Sequence, residues 1–561
     1  MTRAARRSAE PRDPDLPAMW SITAAAALVR LAYGVLPRVV RWDEAGHLLV
    51  ASNLAAGRGY SELTGTLDVH LPPVLPLASA ALLKLGVAPE WATALIHIVT
   101  GALLCLPVFL LARALYGRRV AVIASLLIAA YPALAAAPYT WSTMTESPFL
   151  LFVFGGVWLV YKATLLPARI RASEPYASLP VYAALGALFG LAYLTRPEGL
   201  TYFAVLGLFM AGWHLVNRTL FRSAVLVRLG LTVAACLLVM SPYVAYLHRV
   251  TGHWLLSGKV GLILDIAPAY LADDQAAHDR AVARLDSSGE EIMWLSPDRF
   301  EKNLPDAIRA DPPSFVAQVL ENARRTGLAL FAEDLFTPWA AALAALGLLT
   351  LPRRAKGRHG VGGELLLLAT LLPLLSFWVF FVISRFLVGA LPVGLIWAAV
   401  GLHGLMDWLG RGVHRLAPQA GRLAARPAFV LPLLLVLLLC WSQGWLGLRR
   451  DVASMPWTHQ DAGEWLAANV AAEAVVMTRH SEVGLYAARP LVAAPAAEWD
   501  EIVRYGKTRG ARYLVVDDWE LRRLRPQLAM LADPASAPPE VKHVRTFSAA
   551  GRTTLIYEFV S

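Results

Sequence analysis

The sequence predicts a mainly α, polytopic membrane fold. It is a bundle of about eleven transmembrane helices, with interfacial helices in the first outer loop and a small C-terminal α/β domain outside the membrane. Three observations lead there. Hydrophobic residues make up 57% of the 561 positions and charged residues 16%, giving a mean hydropathy of +0.51, beyond the range of soluble enzymes. Apolar stretches of about 20 residues, enough to cross the hydrocarbon core, recur along the first four-fifths of the chain. After Arg450 the pattern changes to alternating strands and helices. The net charge of +10 does not signal a nucleic-acid partner, because inner loops carry Lys and Arg for topological reasons. Cys105, Cys236 and Cys440 all fall in apolar spans without CxxC spacing, so neither a disulfide framework nor a cysteine metal site is indicated.

Taken in order, Arg3, Arg6 and Arg7 precede an apolar run from Met19 to Leu36 with no small-x-small cleavage site after it. The run reads as an uncleaved first helix. Spans are expected at 18–37, 91–113, 119–137, 147–162, 179–195, 199–216, 225–247, 333–351, 364–383, 386–406 and 428–447. With the N-terminus in the cytoplasm, the inner loops are ARALYGRR, KATLLPARIRASEP, NRTLFRS with Arg228, LPRRAKGRHG and the Arg-rich 407–426 segment. Every one is basic, as cytoplasmic loops are. The outer segments 38–90, 138–146, 196–198, 248–332 and everything after 448 carry most of the acids. The chain therefore divides into a cytoplasmic N-terminus (1–17), a membrane domain (18–448) and an extracytoplasmic α/β domain (449–561). Arg outnumbers Lys and Ala is abundant, as in GC-rich bacterial genomes, so the expected location is a bacterial cytoplasmic membrane.

Two outer segments are too long to be turns. In 38–90, EAGHLLVASNLAAG ends at Gly57 and Gly59, and a second apolar stretch follows Pro72-Pro73; both read as interfacial helices. In 248–332, helical patterns lie near 273–287 and 312–330, and Pro312-Pro313 breaks DRFEKNLPDAIRADPPSFVAQVLENARR into two short helices. In the tail, DAGEWLAANV, SEVGLYA, WDEIVRYGKTRG and WELRRLRPQLAML read as helices. AVVMT and ARYLVVDD read as strands, and VKHVRTFS with TTLIYEFV as a closing hairpin.

Ionised groups near hydrocarbon are costly and persist mainly where function needs them. Arg30, inside the first span, either snorkels outward or balances a carboxylate. The other candidates all lie at outer ends of spans: Asp43, Glu44, Asp68, His70, Glu146, Arg196, Glu198 and Arg385. Singly, most have bland explanations. Asp43 could cap the following helix, Glu146 could favour a helix dipole, and Arg196–Glu198 could be a surface pair of little worth. Together, carboxylates and arginines on one face of a bundle can hold an anion and deprotonate a nucleophile. The planar fork of Arg suits phosphate, and a carboxylate suits a general base for a hydroxyl attacking an anomeric carbon.

These residues resemble the GT-C glycosyltransferases, above all the protein O-mannosyltransferase branch (glycosyltransferase family 39-like) and its bacterial relatives that transfer aminoarabinose to lipid A. The likeness rests on Asp43-Glu44 opening the first outer loop, on an H-x-P-P-like segment, on Glu146, and on S-R-[YF]-L-x-x-x-L-P at Ser384–Pro392. It spans residues 18–450, and the tail segments AVVMTRHSEVGLYAARP and GARYLVVDD are similar to tails of bacterial members. One departure stands out: Leu71 separates His70 from Pro72, where mannosyltransferases place His directly before Pro-Pro. The resemblance implies that Asp43 is the catalytic base and that Glu44, His70, Glu146, Arg196, Glu198 and Arg385 bind substrate, Arg196 and Arg385 near the lipid phosphate. It implies an inverting transferase that moves a sugar from a polyprenyl-phosphate-linked donor to a glycan, lipid or protein acceptor at the outer face. A divalent metal is compatible with it, since some relatives bind one near the first loop, but no clear ligand set stands out here. The alternative is a transporter or flippase of lipid-linked glycan precursors. Such proteins show repeats and midplane polar groups, whereas the polar groups here gather at one end. A third reading is an inactive scaffold, which would leave Asp43 facing away from Arg385.

Overall fold

The computed structural model describes residues 15–142, 144–166, 179–332, 335–350, 358–416 and 421–560. Arg3, Arg6 and Arg7 and the inner-loop stretches 167–178, 351–357 and 417–420 lie outside the described residues.

A helix occupies each expected span. α1 (Leu16–Gly34) is followed by two outer-loop helices, α2 (Trp42–Ala55) and α3 (Val74–Lys84). α4 (Pro89–Leu103), α5 (Cys105–Tyr116) and α6 (Arg118–Ala130) come next, then helices at Glu146–Thr164, Leu179–Thr195, Gly199–Val216, Ser223–Thr251, Pro338–Thr350, Arg358–Leu371, Leu391–Leu416 and Gly421–Ala453. Among the described residues, eight helical stretches are long and apolar enough to cross a membrane, and Leu179–Thr195 and Pro338–Thr350 are shorter apolar helices. The chain is a multi-pass membrane protein.

The third span departs from expectation. α6 stops at Ala130 because Pro132 can neither donate to the helix nor continue it, and two short helices, Pro132–Ala135 and Ala137–Trp141, follow. A helix ending inside a bundle leaves carbonyls that need donors. Arg30 supplies them, donating to Ala129 O and Ile128 O at 3.1 Å and to Leu134 O at 3.4 Å. It is fully buried, so it neither snorkels nor balances a carboxylate, which corrects both expectations.

The outer loops fold as helices. The second contains Val260–Ala272, Gln275–Ala283, Leu304–Ala310 and Pro312–Leu330. The C-terminal layer holds β1 (Val475–Thr478), β2 (Leu491–Ala493), β3 (Ala511–Asp517), β4 (Val541–Ala549) and β5 (Arg552–Phe559), in the order β2-β1-β3-β5-β4. β1 is parallel to β2 and β3, whereas β5 is antiparallel to β3 and β4. The β4–β5 turn places Ala550 and Gly551 at φ +51° and +76°, the primed geometry that suits a two-residue hairpin. The helix expected over WELRRLRPQLAML is instead a π turn at Glu520–Leu524 and a 3₁₀ helix at Pro526–Ala532, because Pro526 interrupts it.

This domain sits on the two outer loops. Thr64 exchanges hydrogen bonds with the Leu491 backbone at 2.9 and 3.0 Å. The Val40 amide donates to the Tyr486 hydroxyl at 3.0 Å, and the Ala496 amide donates to Ala283 O at 2.9 Å. The loops and the domain together line an open cavity of about 700 Å³.

Candidate functional site

One side of the cavity is built from α2 and from the segment around Ile383 and Arg385. Asp43 lies in the first turn of α2 and does not cap it: Arg41 occupies the cap position and no side-chain cap bond forms. Instead Asp43 Oδ2 accepts from Arg385 Nη2 at 2.8 Å, and both residues line the cavity. Asp43 keeps 49% of its side-chain surface open, towards a space lined by the outer loops and the C-terminal domain. Desolvation there pushes its carboxyl upward, but Arg385 and then Lys259 outweigh this and hold it well below the usual carboxylate range.

Backbone strain marks both acid-bearing turns. Trp42, just before Asp43, has φ +51°; Ser142 and Met144, just before Glu146, have φ +56° and +58°. Left-handed conformations at such residues cost free energy and persist only where surrounding structure enforces them. Here Arg41 ties the two turns together, contacting Ser142 Oγ at 3.4 Å, Thr140 O at 2.9 Å and Asp451 Oδ2 at 2.6 Å.

Arg385 connects to a second charged group. Phe386 lies between two guanidiniums, with Arg385 5.6 Å and Arg196 5.5 Å from its ring centroid. Arg196 donates to Glu146 Oε1 at 3.0 Å and to Glu198 Oε1 at 3.2 Å. The Arg196-Glu198 turn is tight because Gly199 packs on its own chain, where an added Cβ would lie 2.4 Å from Tyr193 N. The structure thus brings Asp43, Arg385, Arg196, Glu146 and Glu198 into one continuous network.

Glu44 and His70 stand apart from it. Glu44 is fully buried and takes both Arg38 guanidinium donors, at 2.7 and 2.8 Å, together with the Thr93 hydroxyl. Consecutive helical residues point about 100° apart, so Asp43 faces the cavity while Glu44 faces α4. His70 is buried, stacks on Trp294 with centroids 4.3 Å apart, and its Nδ1 lies 3.9 Å from Asp68. Burial pushes the Asp68 carboxyl up to about 6, even though the Leu71 and His70 amides donate to it.

Two cavity groups, Glu62 and Lys259, and the buried His47 beside them escaped the sequence reading. Glu62 accepts from Ser481 Oγ at 2.8 Å, and burial followed by Asp68 pushes it up to about 7. Lys259 lines the cavity. His47, one turn beyond Asp43, is pushed down to about 3 by burial and Lys259. All three sit within long outer loops rather than at span ends, so the end-of-span criterion passed over them. A buried cluster around His459, His480, Glu482, Asp517 and Glu520 in the C-terminal domain was also missed as chemistry, although all but His459 stand in tail segments quoted above.

Residues 70–246 match the family described as dolichyl-phosphate-mannose-protein mannosyltransferase. No curated protein matches the chain by sequence. Among solved structures, the chain is similar to ArnT from Cupriavidus metallidurans in the apo state, with 14% identity, a TM-score of 0.57, and coverage of 97% of this chain and 98% of that one. The same protein bound to undecaprenyl phosphate gives 15% identity and a TM-score of 0.55, at 97% and 98% coverage. The archaeal oligosaccharyltransferase AglB from Archaeoglobus fulgidus, in complex with an inhibitory peptide and a dolichol-phosphate, gives 14% identity and a TM-score of 0.53, covering 96% of this chain and 74% of that one. From end to end, the chain has the fold of the GT-C glycosyltransferases.

Proposed function

We propose that this protein is an inverting glycosyltransferase of a bacterial cytoplasmic membrane, taking a sugar from a polyprenyl-phosphate carrier at the outer face. The observation that carries the reading is the Asp43–Arg385 pair, 2.8 Å apart, on the wall of the cavity. A base and an anion binder in direct contact are what displacement at a phosphate-linked anomeric carbon requires.

The pair also supplies an order of events. While Arg385 holds Asp43, that carboxylate is a weak base. A donor phosphate competes for Arg385, with Arg196 behind Phe386 adding positive charge. As Arg385 turns to the phosphate, Asp43 loses its strongest stabiliser and gains basicity. The acceptor hydroxyl then attacks the anomeric carbon from the face opposite the phosphate. The new C–O bond forms, the bond to phosphate breaks with its electron pair, and the hydroxyl proton passes to Asp43. Polyprenyl phosphate leaves without needing a strong acid. The scaffold reading required Asp43 turned away from Arg385, the reverse of the contact observed.

Binding of undecaprenyl phosphate to the purified protein in detergent tests the donor side. Arg385→Ala is expected to weaken it at least tenfold; wild-type protein that fails to bind it would overturn the reading. Compositional analysis of envelope glycans and glycoproteins in a deletion strain should find one sugar missing and thereby name the donor.

A further inference from the structure

We infer that the C-terminal domain holds a divalent transition-metal site, ligated by His480, Asp517 and Glu520, at the roof of the cavity. It is independent of the transferase reading and separate from the Asp43 network.

The geometry distinguishes two halves of one buried cluster. His459 is hydrogen-bonded on both sides, Nδ1 to Glu482 at 2.9 Å and Nε2 to Asp517 Oδ2 at 3.0 Å. His480 differs. Its Nε2 lies 3.4 Å from Glu520 Oε2 and 3.6 Å from Asp517 Oδ1, and neither that nitrogen nor Glu520 Oε2 makes a hydrogen bond, while Glu520 Oε1 is ion-paired with Arg525 Nη1 at 2.9 Å. These separations are long for hydrogen bonds. The 3.4 Å separation equals the edge of a tetrahedron with metal–ligand bonds near 2.0–2.1 Å, which is about 3.3–3.4 Å, and the 3.6 Å one is slightly longer. The three residues are 6%, 2% and 0% exposed, and orphaned polar atoms at such depth call for a partner.

The surroundings form a supporting shell. His459 fixes Asp517 through its other oxygen, Glu482 orients His459 in turn, and the Glu520 amide donates to Asp517 Oδ1 at 2.6 Å. Such outer contacts orient metal ligands. Formal charge is consistent with a cation: Glu482, Asp517, Glu520 and Asp279 carry four negative charges against two positive ones on Arg479 and Arg525, which pair with Asp279 and, for Arg525, also with Glu520. The place in the fold agrees as well. His480 follows β1 by two residues, Asp517 ends β3, and the order β2-β1-β3 reverses direction between those two parallel strands. Open α/β sheets bind ligands at that switch point, beyond the carboxyl ends of the strands. One imidazole and two carboxylates, with no thiolate, suit a first-row divalent cation such as zinc.

The test uses the full-length protein in detergent, stripped with chelator and titrated with Co(II) alone. One Co(II) per chain is expected, with visible absorption of a four-coordinate site that Zn(II) abolishes. His480→Ala and Glu520→Gln should lose the signal, His459→Asn should weaken binding roughly 10–100-fold, and Asp43→Asn should retain it. Gel filtration and the thermal transition establish that each variant is folded; His459→Asn keeps the inference falsifiable if the others are not. Failure of the wild type to take up Co(II), or uptake unchanged in all three cluster variants, would overturn the site and leave a proton on His480 as what holds the acids together. Either result leaves the transferase reading to its own test.

Discussion

Asp43 and Glu44 are neighbours with opposite fates, and their separation decides what each substitution does. Glu44 compensates the buried Arg38 guanidinium. Removing one partner of a buried pair strands the other charge, at about 3–5 kcal/mol, so Glu44→Ala should lower the thermal transition markedly. Glu62 should behave in the reverse way. Its folded value of about 7 lies above the ordinary 4.5, so between those values the folded state keeps a proton that the unfolded state has released. The contribution of Glu62 to stability is therefore fully present below about 4.5 and is lost as pH rises to about 7. Glu62→Gln should flatten that slope in melting experiments across this range; an unchanged slope would refute the assignment. The sequence made Asp43, Glu146, Arg196 and Arg385 legible because a charge at the edge of a long apolar run has few ordinary reasons to be there. Glu62 and Lys259 lie among other polar residues, and only the fold turns them inward.

Arg385 depends on an element whose irregularity was not legible. The sequence offered two spans with scarcely any loop; the structure has a 3₁₀ stretch at Leu372–Val379, extended backbone, then a second 3₁₀ stretch at Ser384–Ala390. Broken helices expose carbonyls that must be met inside the protein. The outer-loop helix Pro312–Leu330 meets them: Gln318 donates to Val379 O and Phe380 O at 2.8 and 3.0 Å, and Asn322 donates to Trp378 O and Phe380 O at 3.0 Å. These contacts join positions about sixty residues apart, beyond any local pattern. Asn322→Ala should cost about 1–3 kcal/mol through unmet carbonyls and weaken lipid-phosphate binding by loosening Arg385. Binding equal to wild type would separate the two elements. Helix packing offers a cleaner test. An added Cβ on Gly347 would meet Trp397 O at 2.0 Å, and one on Gly401 would meet Leu343 O at 2.0 Å, so Pro338–Thr350 and Leu391–Leu416 touch through glycine. Gly347→Ala or Gly401→Ala should destabilise the fold, whereas Gly207→Ala, with nothing within 4 Å, should not; similar melting of all three would contradict this contact.

At the scale of the whole molecule, hydropathy was enough for the helix bundle, because the bilayer imposes span length. It could not reveal that the C-terminal domain closes over Asp43, since that depends on contacts such as Ser481–Glu62 and Arg479–Asp279, about 420 and 200 residues apart in sequence. The proposed function puts the domain outside the cytoplasm. A cysteine placed at exposed Ser548 should react with a membrane-impermeant maleimide in intact spheroplasts, against a silent background from buried Cys105, Cys236 and Cys440; labelling only after lysis would invert the topology. The central claim is that Asp43 takes the acceptor's proton. It is tested most directly by complementing the deletion strain with Asp43→Asn at matched expression, while measuring undecaprenyl phosphate binding on the purified variant. The account expects the missing sugar to stay absent, transfer to fall roughly 10²–10⁴-fold, and lipid binding to remain. Restoration of the sugar to wild-type levels by Asp43→Asn would contradict it.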